Sequence, residues 1–471
     1  LIPYGRRNTD FQGVGEMDIY RAIEETKRLY SIDDSRIYLS GVSMGGMGAW
    51  NMSLRNPGYF AATTPISGQT DMFRWWGWDP DDMTPFKRFL VRWDNAEEMA
   101  RNARGQHFFV QHGELDHLIS PVESRSMVQK VRALGIPIQY YEFTGESHYI
   151  YWDTPCFENA WGWTKDFTLD PSPPRVTFRC FSPAYNSAYW LTVARLKTWG
   201  TPADVDARVT EDGAGLEVQC TNVAALTVDL STCPLDPEGP LQVTVNGEAR
   251  EARARDGVLS IELEAAPHQD WPPLKRRGLC GPAEDVFNTP FIVVQGTAGD
   301  YAQDLDLAEK VGTWADEWDR FADGLPRVCT DEELTAEQRQ KMNLVLFGTP
   351  ETNAVLAEIA ERLPVEIGHH EYTVMDRTFE GENLGLVLTY PNPEHPDRYV
   401  LIYSGELYGR KLSINHKHDM LPDFLIFDST KFTIGDTEAN VFGGWFDADW
   451  QPNPDLAWEG TPKPAAQAAE G

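Results

Sequence analysis

The sequence predicts an α/β chain of several domains: a parallel-sheet domain, then a β-sandwich-like domain, then a small doubly wound α/β domain. Three observations predict it. A β-prone run at 37–39 turns abruptly into a helical pattern through Gly41-Val42-Ser43-Met44-Gly45. Buried-strand runs separated by helical periods recur up to about residue 168 and again after 283. Between them lie short alternating segments broken by Asp212-Gly213, Asn246-Gly247 and Asp256-Gly257, the punctuation of a sandwich.

Each element follows in order. Ile19, Ala22, Ile23, Thr26 and Leu29 or Tyr30 recur at helical spacing ahead of the turn Asp33-Asp34-Ser35, and the glutamates of this helix are expected to face solvent. Ile37-Tyr38-Leu39 begins a strand, Met47 to Leu54 continues as a helix, and Phe60 to Ile66 forms the next strand. Residues 68–104 then interrupt the alternation, as a cap insertion carrying Arg74-Trp75-Trp76-Gly77-Trp78-Asp79. Strands at about 107–113 and 136–143 complete a first domain at 1–168, closed by the stiff linker Leu169-Asp170-Pro171-Ser172-Pro173-Pro174.

The sandwich-like domain is expected at 175–264 and the α/β accessory domain at 283–450, with buried strands at 291–294, 344–347 and 399–402 and helices near 303–322 and 351–363. The stretch 451–471, with Pro452, Pro454, Pro462 and Pro464, is expected to be disordered.

Composition excludes several functions. Forty-one basic against 72 acidic residues leave a formal charge of −31, which repels nucleic acid and anionic membranes. No apolar run approaches the roughly 18 residues needed to span a bilayer. The six cysteines form no CxxC or zinc spacing; Cys220 with Cys233 is the candidate disulfide if the protein is exported. His369, His370 and Glu371, and His416, His418 and Asp419, lack the i,i+4 spacing that lets two imidazoles share an ion, so no metal is expected. The turn Gly348-Thr349-Pro350-Glu351-Thr352-Asn353 lacks a phosphate-loop or dinucleotide fingerprint.

The corner at Ser43 carries the chemistry. Gly-x-Ser-x-Gly arises by chance on the order of 0.1 to 0.2 times in a chain this long, so the flanking strand and helix give it weight. A serine there is held in a strained turn at the end of the sheet, but its hydroxyl is a weak nucleophile until a base takes the proton and a carboxylate orients the base. Only His107, His112, His117 and His148 share this region with Ser43. Asp116 lies in the polar turn after one strand and His148 in the loop after the next, where catalytic groups of open sheets collect. Glu114 is the competing acid, with less reach so close to the strand end. His112 and His117 are expected to be turn or surface histidines, and Glu146 a solvated loop carboxylate. The Met44 amide, one residue past the nucleophile, is the expected oxyanion donor.

The run Gly5 to Asp18, the corner at Ser43, His112-Gly113-Glu114-Leu115-Asp116 and Ser147-His148 together resemble the prolyl oligopeptidase-like branch of the α/β-hydrolases. Multidomain bacterial esterases and feruloyl-esterase-like enzymes carry similar segments. The resemblance covers about the first 165 residues and implies Ser43 as nucleophile, Asp116 as acid and His148 as base. It also implies further strands and an oxyanion-hole loop ahead of Leu1, so the chain is expected to be truncated at its N-terminus.

The expected activity is hydrolysis of a carboxylic ester through an acyl-enzyme, with no cofactor. The substrate is expected to be a small-molecule or a saccharide- or peptide-linked ester, with no nucleic-acid or membrane partner. Trp75, Trp76 and Trp78 either line its pocket or pack the insertion onto the body. A serine peptidase of the oligopeptidase type is one alternative; a non-catalytic binding protein with an incomplete hydrolase domain is another.

Overall fold

The computed structural model describes residues 1–235, 241–250, 252–267, 269–409, 417–418, 420–431 and 439–460. They fall into two compact units, one of 1–5, 10–78 and 91–266, the other of 6–9, 79–90 and the described residues from 267 on. Part of the expected cap insertion, 79–90, thus groups with the second unit.

In the first unit, strands β1 (Tyr38–Val42), β2 (Ala62–Ile66), β3 (Phe109–Gly113) and β4 (Gln139–Phe143) form a parallel sheet in chain order. β2 and β3 are buried along their whole length because helices cover both faces, while β1 and β4, at the edges, are partly exposed. Helix α1 (Gly13–Leu29) precedes the sheet and α2 (Met44–Arg55) joins β1 to β2. The insertion contributes α3 (Met72–Trp76), while α4 (Pro85–Asp94) straddles the division between the two units. Helix α5 (Val122–Ala133) joins β3 to β4, and α6 (Ile150–Asp153) and α7 (Cys156–Thr164) follow β4.

The periodic face of α1 buries Ile19 against Met52 of α2 and Phe60, with Ile23, Ile37 and Leu39 packed around them. Its glutamates divide. Glu24 and Glu25 face water as expected, but Glu16 is fully buried, where Arg55 donates to it at 3.1 Å and the Tyr185 hydroxyl at 3.0 Å. A guanidinium 39 positions downstream supplies the partner that an isolated helix lacks.

The sandwich consists of two five-stranded sheets, one containing 175–180, 203–209, 215–221, 242–245 and 248–249, the other 187–188, 191–196, 223–229, 253–255 and 258–262. It belongs to the same compact unit as the parallel sheet. Asn102 ties the two together, donating to Leu54 O at 2.8 Å and Arg179 O at 3.0 Å and accepting from Arg179 N at 2.6 Å. Cys220 and Cys233 are not joined, and all six cysteines are free thiols. Cys220 lies on a strand of one sheet, and Cys233 follows a strand of the other.

The second unit contains an eight-stranded sheet. Strands 328–330, 291–295, 343–347 and 399–405 run parallel in that spatial order, with helices 301–322, 336–341 and 354–359 between them in sequence, as a doubly wound fold requires. Strands 384–391, 424–428, 440–446 and 452–459 then extend the sheet antiparallel, which the sequence reading did not anticipate. Residues 392–398 link strands 384–391 and 399–405, too short a connection for a parallel crossover of a dozen residues.

The expectation of disorder from 451 also needs correction: Pro452–Glu459 is a strand, with Trp458 opposite Gly443. It is the edge of the sheet, where a proline's missing N–H is not needed for pairing. Residues 461–471 lie outside the described residues, as do His416 and Asp419. His418 is packed among the rings of Trp314, Trp318 and Phe321. His370 bonds to Leu384 O through Nδ1 at 3.0 Å. No group of three metal-ligating side chains occurs among the described residues, and no helix there is long and apolar enough to cross a membrane.

Candidate active site

Ser43 sits between β1 and α2 with φ 58° and ψ −120°. This region costs a residue with a side chain about 1–3 kcal/mol, so the surroundings must enforce it. They do so through backbone bonds: Ser43 N donates to Ile66 O at 2.9 Å, and Met47 N donates to Ser43 O at 3.1 Å. The glycines serve unequally. A Cβ on Gly41 would lie 2.1 Å from Gly45 O, and one on Gly46 would lie 2.6 Å from Ile66 O. At Gly45 the nearest atom, on Phe11, would be 4.0 Å away. Strand and helix thus meet through Gly41 and Gly46, while Gly45 contributes its carbonyl to the close approach. Met44 is the first residue of α2, so its amide N–H has no intrahelical partner.

Asp116 and His148 come together. His148 Nδ1 is 2.7 Å from Asp116 Oδ2, and both side chains are buried. An ionised carboxylate only accepts, so Nδ1 carries the hydrogen and Nε2 of neutral His148 keeps its lone pair. The other carboxylate oxygen accepts from Leu118 N at 3.0 Å and Ile119 N at 2.9 Å. Burial works against the charge on Asp116; the His112 ring 3.2 Å away and the hydrogen bonds from His148 and the Ile119 amide outweigh it and hold the carboxyl well below the usual carboxylate range.

The loops carrying these two residues are bound to each other. Leu115 N donates to Glu146 O at 2.8 Å and Glu114 N to Phe143 O at 3.0 Å. The Glu114 carboxylate accepts from Gly145 N at 2.8 Å, which makes it a clamp on the His148 loop. A Cβ on Gly113 would lie 2.1 Å from Ser147 O, so this packing requires glycine there.

The Ser43 hydroxyl makes no hydrogen bond among the described residues, to His148 or to any other group. Ser43 and Met44 instead line an apolar cavity of about 800 Å³ with residues of β1, α1 and α2. Trp75, Trp76 and Trp78 are not part of that lining. They form a cluster of their own, with Trp76 stacked on Trp78 at 5.6 Å and 15° and tilted against Trp75 at 4.4 Å. Trp76 is 42% exposed, and Trp75 and Trp78 are half-buried. Arg74 anchors its helix, donating to Glu123 at 2.7 Å. His117 is exposed, whereas His112, expected at a turn or surface, is completely buried at the end of β3. Its position is set by partners contributed by α5 and the acid loop, which periodicity alone does not reveal.

Residues 8–159 match the model of the prolyl oligopeptidase family. No curated protein matches the chain. Among solved structures, an acylaminoacyl peptidase from Pyrococcus horikoshii is 18% identical, over 32% of this chain and 26% of its own, with a TM-score of 0.28. A thermostable esterase is 22% identical, over 32% of this chain and 36% of its own, with a TM-score of 0.25. A protein described as a putative dipeptidyl aminopeptidase IV from Bacteroides ovatus is 21% identical, over 30% of this chain and 20% of its own, with a TM-score of 0.25. The chain thus spans between a fifth and about a third of the length of these proteins. Residues 8–159, which include the serine corner and the Asp116–His148 pair, thus form a prolyl oligopeptidase-like segment with the α/β-hydrolase fold.

Proposed function

We propose that this domain hydrolyses carboxylic esters with Ser43 as nucleophile, His148 as general base and acid, and Asp116 as the carboxylate that orients His148. The observation that carries the reading is the buried 2.7 Å bond between His148 Nδ1 and Asp116, which leaves Nε2 as a proton acceptor. In the first half-reaction Ser43 Oγ attacks the carbonyl carbon while Nε2 takes its proton, and the Met44 N–H donates to the developing oxyanion. Collapse expels the alcohol, which leaves with the proton held by His148. Water then attacks the acyl-enzyme by the same exchange, releasing the acid and restoring Ser43. The Ser43–His148 hydrogen bond absent here forms as substrate enters, a tightening common to catalytic pairs.

The partly exposed Trp75–Trp76–Trp78 cluster supports a substrate with a flat apolar or sugar-like part that stacks on indole. A peptide bond in place of the ester is the second reading, favoured by the family that residues 8–159 match. A fluorophosphonate probe tests the nucleophile: wild type labels and Ser43→Ala does not. Equal labelling of the two removes the assignment, and an unlabelled but folded wild type favours the non-catalytic reading. Parallel assays with p-nitrophenyl esters, feruloyl esters and short peptides then decide between ester and peptide.

A further inference from the structure

The turn that follows His148 carries aromatic rings out into water. Tyr149 comes directly after His148, and the two rings meet edge to face, 5.7 Å apart at 81°. Trp152 lies on Tyr149 in an offset stack, 5.5 Å apart at 11°, and Tyr151 closes against both. Trp152 is 76% exposed and Tyr149 39%. Single exposed rings are ordinary on a protein surface, but a stacked pair in contact with the imidazole of a buried His–Asp couple is the form of a binding platform.

The pair is fixed from below. Between its members Ile150 is fully buried against Ile66, Phe143 and Cys156, with Tyr151 and Val42, the residue before Ser43, packed around them. Trp152 N donates to Tyr149 O at 3.0 Å, and Thr154 closes the turn on Ile150 O, through its N at 2.9 Å and its hydroxyl at 2.7 Å. Farther along, Phe157 lines the cavity that Ser43 and Met44 open into. The stretch 148–157 therefore borders the base, the serine corner and the cavity beside it. A platform held this way spends little ordering free energy on its ligand.

We propose that Tyr149 and Trp152 form the leaving-group subsite, a platform for an uncharged aromatic alcohol on the ester that Ser43 attacks. The inference rests on the triad reading above. As the alcohol departs, its oxygen takes the proton from His148 Nε2, so the two atoms come within about 3 Å of each other. The substituent on that oxygen then lies beside the His148 ring, where the neighbouring ring is Tyr149 and the next is Trp152. Charge sets the remaining condition. From 133 to 164 the sequence holds Glu142, Glu146, Asp153 and Glu158 and no lysine or arginine, so a carboxylate on the alcohol is repelled.

Three esters separate the two sides of the substrate. Benzyl acetate carries its ring on the alcohol side, ethyl phenylacetate on the acyl side, and ethyl acetate on neither. In Trp152→Ala the ratio of kcat/KM for benzyl acetate to that for ethyl acetate falls about three- to tenfold, while the ratio of ethyl phenylacetate to ethyl acetate holds. Trp152→Phe keeps most of the benzyl preference, because a ring face remains for stacking. Tyr149→Leu, which removes the ring supporting Trp152, lowers it as Trp152→Ala does.

A second readout needs no turnover and decides the matter where the acetates react too slowly to measure. Benzyl alcohol titrated into protein isotope-labelled at the tryptophan nitrogens shifts the Trp152 indole signal, assigned by its loss in Trp152→Phe, whereas ethanol does not. A benzyl ratio unchanged in Trp152→Ala, an equal fall in both ratios, or an indole signal that benzyl alcohol leaves in place overturns the proposal. Failure of the triad reading shows up separately, as wild-type protein that a fluorophosphonate does not label at Ser43.

Discussion

Arg55 of α2 donates to Glu16 of α1 at 3.1 Å with both side chains out of water, 3% and 0% exposed. The same guanidinium reaches Gln12 at 2.8 Å and Asp94 at 2.7 Å, so one cation closes three segments of the first unit. Removing it leaves the Glu16 carboxylate buried with only the neutral donors Tyr185 and Asn56. Arg55→Ala is therefore expected to cost about 3–5 kcal/mol, read as a lower denaturant midpoint. Adding Glu16→Gln should recover part of that loss, because an amide needs no counter-charge. A double variant no more stable than Arg55→Ala would contradict this.

The three corner glycines should separate in a stability series. Gly41→Ala and Gly46→Ala place a methyl 2.1 Å and 2.6 Å from backbone oxygens that cannot move independently of the corner. Both are expected to lose several kcal/mol, about 2–4, or to give no folded protein. At Gly45 the methyl meets nothing closer than 4.0 Å, and Gly45→Ala should be neutral or gain up to about 1 kcal/mol from helix propensity. Thermal melting of the three variants checks the order.

Asp116 makes stability depend on pH in a defined direction. Its folded carboxyl ionises below the unfolded value of about 3.9, since burial is outweighed by His112, His148 and the Ile119 amide. The stabilisation is present above that unfolded value and is lost as pH falls through the folded one. Urea midpoints of wild type and Asp116→Asn should differ most near about pH 6, and the difference should narrow progressively as pH falls from about 4 toward 2. A constant difference across that range would show that the charge is not responsible. The same substitution should lower kcat by about 10³–10⁴-fold, because an amide can hold His148 in the wrong tautomer.

Trp76 is the most exposed ring of the tryptophan cluster, which makes it the one to replace. Trp76→Ala should leave the melting temperature within about 2 °C of wild type, as surface substitutions do, while raising KM for an aromatic ester several-fold relative to an acetyl ester. Equal effects on both esters would remove these rings from substrate binding.

The sequence revealed what depends on neighbours along the chain. Ser43 was legible because its corner is built from adjacent residues, and the strands before Asp116 and His148 because each is a single apolar run. Contacts across the fold were not legible. Glu16 on an amphipathic helix looks like solvent-facing charge until Arg55 is brought beneath it. His112 looks like a turn histidine until α5 and the acid loop close over it. Pro452 and Pro454 suggest disorder unless the segment is known to be an edge strand, and the short link at 392–398 signals an antiparallel hairpin only once 384–391 is recognised as its partner.

Asn102 exchanges hydrogen bonds with the strand at Arg179 while bonding to the last turn of the helix that starts at Ser43. The serine's helix and the first sandwich strand therefore share one fastening. A genetic crossover between residues 168 and 175 that removed the sandwich would take away that partner and expose the flank of the nucleophile's helix to water. The two pieces should accordingly be inherited, expressed and lost together, as a single heritable module.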